Sequence, residues 1–141
     1  MQQPARRVSA TDENVYLPRL AQIREIRQET PTEKTFIFDL VDDAPFEYMP
    51  GQFVLVSVFG AGEIPLGLAS SPTEPLLWVT CRRYPEGQVT PRLHDRQVGD
   101  YIGIRGPLGN AFPLEKHKGE NLVIIGGGVG LPTLRSALVY A

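Results

Sequence analysis

The chain has 141 residues, 42% hydrophobic and 21% charged, with a formal charge of -2. That is the composition of about one ordinary globular domain, and it offers no basic field for nucleic acid. Cys81 is the only cysteine, which excludes an intrachain disulfide and any cysteine-ligated metal or iron-sulfur centre built by this chain alone. No secretory signal follows Arg6-Arg7 and no apolar run is long enough to span a bilayer, so a reducing, cytoplasmic setting is the simplest reading.

Thirteen prolines and fourteen glycines punctuate short β-like runs, the pattern of an all-β barrel or sandwich. Residues 1–15 read as a polar tail. Leu20 to Arg27 is the first expected strand, and its alternation slips before Ile26, which points to a bulge. Thr35 to Leu40 alternates with Phe36, Phe38 and Leu40 on one face, so a half-buried strand is expected. After the Pro50-Gly51 turn, Phe53 to Phe59 reads as a buried strand, and a glycine-rich loop leads from it into Leu68, Ala69, Ser70 and Ser71. Small side chains there would let a flat ligand lie near the backbone, with the hydroxyls of Ser70 and Ser71 available to polar ring atoms; a core strand ending in a Gly/Ser turn is the plain alternative. Leu76 to Arg83 is the next strand, with Leu77, Val79 and Cys81 facing one way and Cys81 read as a small core residue.

Thr90-Pro91 is a helix-start signal in which the hydroxyl caps and proline takes the first helical position. The free N–H groups of such an end suit a phosphate, and a capped surface turn is the alternative. His94 has no metal-spaced neighbour and reads as a surface or packing histidine. The turn pairs Gly99-Asp100 and Gly106-Pro107 leave room for only a short strand, which would close a barrel. A charged link over Glu115 to Glu120 marks a boundary near residue 118. Asn121 to Ile125 then has the continuous apolar character of a doubly covered parallel strand, and it enters Gly126-Gly127-Gly128-Val129-Gly130. Leu131, Leu134, Ala137, Leu138 and Ala141 follow at helical spacing, with Pro132 in the first turn. Strand, glycine loop and helix open a nucleotide-binding βαβ unit, although the strict G-x-G-x-x-G spacing fails at Leu131 and a glycine-rich connector is a real alternative. A lone parallel strand cannot satisfy its backbone, so this unit is expected to be truncated or completed by something else.

Taken in order, P-G-Q-F-V-L-V-S-V, L-A-S-S-P, G-Q-V-T-P-R-L-H, G-D-Y-I-G-I-R-G-P-L-G-N-A-F and I-I-G-G-G-V-G-L-P-T-L-R-S resemble the ferredoxin-NADP reductase superfamily. The likeness is strongest to the flavin-bearing gamma subunits of soluble nickel-iron hydrogenases (sulfhydrogenases), with the corresponding subunit of anaerobic sulfite reductase and the dihydroorotate dehydrogenase electron-transfer subunit as relatives. It covers about Tyr16 to Ala141. The resemblance implies a six-stranded antiparallel Greek-key barrel that binds FAD over residues 16–118, followed at 119–141 by the first strand and helix of a Rossmann-like α/β domain that binds NAD(P)H. By position it implies that Leu68, Ala69 and Ser70 border the flavin ring, that Gly87, Val89 and Thr90 hold the pyrophosphate, and that Gly127, Gly128, Gly130 and Pro132 form the nicotinamide-dinucleotide phosphate loop.

The implied activity is transfer of electrons from NAD(P)H through flavin to an iron-sulfur partner, such as a hydrogenase subunit of a hetero-oligomer, with little turnover by these 141 residues alone. No catalytic acid, nucleophile or metal ligand is implied. The family's Arg-x-Tyr-Ser flavin motif would fall on Ile64, Pro65, Leu66 and Gly67, so its arginine, tyrosine and serine are absent here. The rival reading is a cofactor-free barrel that acts as a docking or assembly module in a larger complex.

Overall fold

Apolar residues at every second position fix the sheet. In the computed structural model, which describes residue 14 and residues 16–141, the strands are β1 (Arg19–Gln28), β2 (Glu33–Leu40), β3 (Phe53–Val58), β4 (Gly62–Gly67), β5 (Leu77–Arg82) and β6 (Tyr101–Leu108). Helix α1 (Val89–His94) lies between β5 and β6, and α2 (Leu131–Tyr140) follows them. All strand pairs are antiparallel, in the order β4-β3-β6-β1-β2-β5. The tail expected over residues 1–15 lies outside the described residues, apart from Asn14.

The inward set is Ala21 and Ile23 of β1, Phe36 and Phe38 of β2, Val54, Val56 and Val58 of β3, Val79 and Cys81 of β5, and Ile102 and Ile104 of β6. The expected bulge is present: pairing passes from Ile23↔Phe38 to Glu25↔Ile37, leaving Arg24 over, and this returns Ile26 to the core side. β2 departs from the half-buried pattern, because Thr35 and Ile37 on its other face are also buried. Thr35 shares a 2.8 Å hydroxyl contact with Thr80, and Ile37 sits between Glu25 and Trp78.

Four expectations change. The glycine-rich stretch after β3 is strand β4, not a loop, with Pro65 opposite Leu55; proline is tolerated because β4 is a sheet edge. β6 runs through Gly106-Pro107 instead of ending there, since pairing steps from Phe53↔Leu108 to Leu55↔Arg105 and a bulge absorbs the extra residue. β6 is also a central strand, so it does not close a barrel; the two edges are β4 and β5, and they meet only at the single bridge Leu68↔Val79. Asn121 to Ile125 forms no strand. No described strand pairs with it, and Val123 and Ile125 stand 80% and 89% exposed, so the Rossmann-like strand lacks the ladder that would define it.

Helix α1 is pinned to the sheet by His94. Its Nε2 lies 2.8 Å from the Cys81 carbonyl, the ring meets Phe36 edge-on at 5.8 Å between centroids, and the side chain is buried. Burial, with Lys34 and Arg83 nearby, holds the imidazole below its usual value of 6.5. The folded chain therefore refuses a proton that the unfolded chain accepts, so this contribution to stability is complete above about pH 6.5 and is lost as pH falls below it. The urea midpoint is expected to drop between pH 7.5 and pH 5, and His94→Gln to flatten that slope; an equal slope in the variant would assign the effect elsewhere.

Candidate functional site

Where the two sheet edges part, the fold leaves a groove of about 400 Å³. Beside the Leu68↔Val79 bridge, Ala69 N–H donates to the Trp78 carbonyl at 2.8 Å and Leu68 N–H to Gln52 at 3.2 Å. Past it, Ile64 to Gly67 of β4 and Thr80 to Arg82 of β5 line opposite sides. β4 pairs only with β3 and β5 only with β2, so both strands turn an unladdered edge to the groove. Such edges carry backbone donors and acceptors.

Tyr84 and Thr90 line one end of the groove, and Val129, Pro132 and Thr133 bring the glycine loop and α2 to it. Apolar walls from Ile64, Pro65, Leu66 and Val129 meet one cation, Arg82, which lies over the Tyr84 ring at 5.7 Å and pairs with Glu33 at 3.4 Å. Cys81 also lines the groove, but burial pushes its thiol up to about 11, so it stays protonated and is a poor nucleophile.

The residues expected to bind a ligand divide into two groups. Thr90 and Pro132 line this groove. Leu68, Ala69 and Ser70 are buried beside it, and the Ser70 hydroxyl is committed: it contacts Tyr48 Oη at 2.8 Å and accepts the Trp78 N–H at 3.1 Å. Ser71 likewise contacts Thr73 at 2.8 Å. Gly87 packs closely, a Cβ there falling 3.1 Å from the Tyr84 carbonyl, and Val89 reaches the core side beneath Gly62.

Helix α1 begins at Val89 with Gln88 as its cap residue, so Thr90 does not cap it; the hydroxyl instead accepts the Tyr84 N–H at 2.9 Å and closes the loop before the helix. Gly127, Gly128 and Gly130 have nothing within 4 Å of a Cβ, and Gly128 has φ +56. The loop is open on that side. Pro132 sits in the first turn of α2 as expected.

Helix α2 is clamped beside the groove. Arg135 donates to both carboxylate oxygens of Glu74 at 2.7 Å and to the Ala69 carbonyl at 3.0 Å, and it lies 4.2 Å from the Trp78 ring centroid, which Arg27 also covers at 4.6 Å. Arg135 holds the Glu74 carboxyl below the usual range. Ser136 donates to the Ser70 carbonyl at 2.6 Å. Sequence reading missed Thr80, Arg82, Tyr84 and Thr133, because a groove between strands far apart in the chain has no local signature. A proline inside an alternating Ile64-x-Leu66-x-Leu68 run was the available signal for an edge strand.

The family profile described as "Oxidoreductase FAD-binding domain" matches residues 20–112, all six strands and α1. The chain belongs to this family. Sulfhydrogenase 2 subunit gamma of Pyrococcus furiosus is 43% identical over 131 residues, covering 91% of this chain and 45% of the relative. The Methanocaldococcus jannaschii protein named "Probable dihydroorotate dehydrogenase B (NAD(+)), electron transfer subunit" is 33% identical over 122 residues, covering 86% and 42%. The chain thus spans less than half the length of these two relatives. Among solved structures, the ferredoxin reductase in carbazole 1,9a-dioxygenase is similar with a TM-score of 0.73 and 26% identity, over 86% of this chain and 37% of that one. A ferredoxin-NADP+ reductase from Plasmodium falciparum, at 18% identity and a TM-score of 0.71, shares the fold over 86% of this chain and 51% of its own. No described helix is long and apolar enough to cross a membrane.

Proposed function

We propose that this chain is the FAD-binding part of an NAD(P)H-linked electron-transfer oxidoreductase subunit, working beside an iron-sulfur partner such as a nickel-iron hydrogenase. The observation that carries the reading is the open seam between β4 and β5. Its two unladdered strand edges suit the polar rim of a flat ring, and Ile64, Leu66 and Val129 suit its faces. Leu68, Ala69 and Ser70 would border the ring by shape and backbone. Gly87, Val89 and Thr90 would hold the pyrophosphate at α1, with Arg82 as the neighbouring cation in place of the arginine that Ile64 replaces.

The open loop of Gly127, Gly128 and Gly130, with Pro132, leaves room for the phosphates of a nicotinamide dinucleotide. A bound flavin supplies hydride acceptance and single-electron release; the chain's own residues bind it, orient it and keep water from its edge. The partner reading rests on relatives named as sulfhydrogenase and dihydroorotate dehydrogenase subunits.

The test is the visible spectrum of the purified protein, with released flavin identified by chromatography after denaturation. Stoichiometric FAD is expected, despite Ile64, Leu66 and Gly67. A colourless protein that takes up no added FAD would favour the cofactor-free docking module.

A further inference from the structure

Position 67 has no side chain, and the hydroxyl of another residue stands where one would be. A Cβ placed on Gly67 falls against Thr133 Oγ1 and lies 3.0 Å from its Cγ2 and 3.1 Å from its Cβ. The Gly67 backbone does not itself require glycine, since its φ is not positive. The requirement comes from α2, whose first turn is pressed against the β4 edge at this point.

The neighbouring hydroxyls are spent inside the protein. Thr80 contacts Thr35, Thr90 holds the Tyr84 N–H, Ser70 holds Tyr48 and the Trp78 N–H, and Ser136 donates to the Ser70 carbonyl. Thr133 differs. It lines the groove, is half-buried, and its hydroxyl makes no hydrogen bond to any described residue. Its hydroxyl, with one donor and two acceptor sites unused within the protein, is not sealed off from the groove and is available to a ligand there. Among the groove-lining hydroxyls only the Tyr84 phenol is similarly uncommitted, and Tyr84 is 53% exposed.

Resting on the FAD reading above, we infer that Thr133, delivered from α2, makes the hydroxyl hydrogen bond to the bound flavin ring that glycine at position 67 cannot make. The motif that the sequence resembles has serine at that position. Here the residue that touches the ring comes from the other side of the groove, so the contact exists only while α2 is docked. The clamp of Arg135 on Glu74 and the Ala69 carbonyl keeps it docked. Gly67 and Thr133 are therefore one unit, in which the missing side chain makes space for the supplied one.

Thr133→Val removes the hydroxyl at nearly constant volume, and Thr133→Ser keeps it. Titration of FAD into flavin-free protein is expected to show Thr133→Val binding about five- to tenfold more weakly, the loss of one hydrogen bond, and Thr133→Ser within about twofold of the parent. The visible band of bound flavin and its midpoint potential should shift in Thr133→Val and not in Thr133→Ser, readouts that a packing role alone would leave in place. Gly67→Ser combined with Thr133→Ala removes the two nearest obstructing atoms, transplants the hydroxyl and is expected to recover affinity, with the residue 133 Cβ at 3.1 Å having to yield. Gly67→Ser alone should disturb α2 and lose affinity. The inference is overturned if folded Thr133→Val binds FAD like the parent with an unshifted spectrum, or if Thr133→Val and Thr133→Ser lose affinity equally. Parent protein that takes up no FAD overturns the FAD reading and this inference together, which separates the two failures.

Discussion

Phe36→Ala is expected to lower the stability of the fold by about 3–5 kcal/mol, a large share of the roughly 5–15 kcal/mol typical of a whole domain. Phe36 is fully buried in β2, paired with Ile26 of β1 on one side and Val79 of β5 on the other. Its ring also meets His94, so it stands where the sheet and α1 join. Truncation opens a cavity lined by β-branched residues already fixed by strand pairing on both sides, which leaves little scope for collapse. The loss should reach the groove as well, because α1 carries Thr90 and its register depends on His94 holding the Cys81 carbonyl. Urea unfolding of flavin-free protein measures the first effect and FAD titration the second. Phe36→Leu, which keeps most of the volume, should cost less in both. A loss under about 1 kcal/mol for the alanine variant would mean that the site repacks and that the ring is not the joint between sheet and helix.

Residues with a strict period of two were legible as strands wherever one face enters the core. Phe36, Phe38 and Leu40, or Val54, Val56 and Val58, announce their strands without any knowledge of their neighbours. The slip before Ile26 announced its bulge in the same way. What stayed hidden depends on partners distant in sequence. Gly62 to Gly67 looked like a loop because glycines bound it and Pro65 interrupts it, yet as the sheet edge it needs hydrogen bonds on one side only. Gly106-Pro107 looked like a stop, but β3 opposite it accommodates an extra residue. Asn121 to Ile125 shows the converse: a strand-like run lacks its ladder because no described strand lies beside it.

The site followed the same rule. Pro132 was legible as a helix-start residue and lines the groove; Thr90 lines it too, though as the second residue of α1 and not as its cap, whereas Thr133 gains meaning only from the approach of α2 to Gly67. The family match spans residues 20–112 and so takes in the four motifs that end at Phe112, each too short to be specific alone, but not the glycine loop after Ile125.

Ser70→Ala is the second variant with a large expected effect, about 2–3 kcal/mol of stability in the flavin-free protein. The side chain is small, so little apolar contact is lost; the cost comes from the polar groups left behind. Trp78 N–H loses its acceptor at 3.1 Å and Tyr48 Oη loses its 2.8 Å partner, keeping only the Ser70 carbonyl at 3.0 Å. The Tyr48 contact is buried and the Trp78 one part-buried, and burial already raises the Tyr48 phenol above its ordinary value, a sign of how little water reaches it.

The Ser70 carbonyl also takes the hydroxyl of Ser136, so slack at this residue passes directly to α2. Tyr48→Phe should therefore cost less in the Ser70→Ala background than in the parent, because the hydroxyl it would have lost is already gone. Unfolding curves of the four proteins without flavin measure that coupling. A Ser70→Ala protein as stable as its parent, yet weaker for FAD, would place the hydroxyl on the ligand. A destabilised protein with coupled Tyr48 and Ser70 effects would place it in the tie between the sheet seam and α2, where Arg135 and Ser136 also converge, and would leave Thr133 and the more exposed Tyr84 as the hydroxyls free to face the groove.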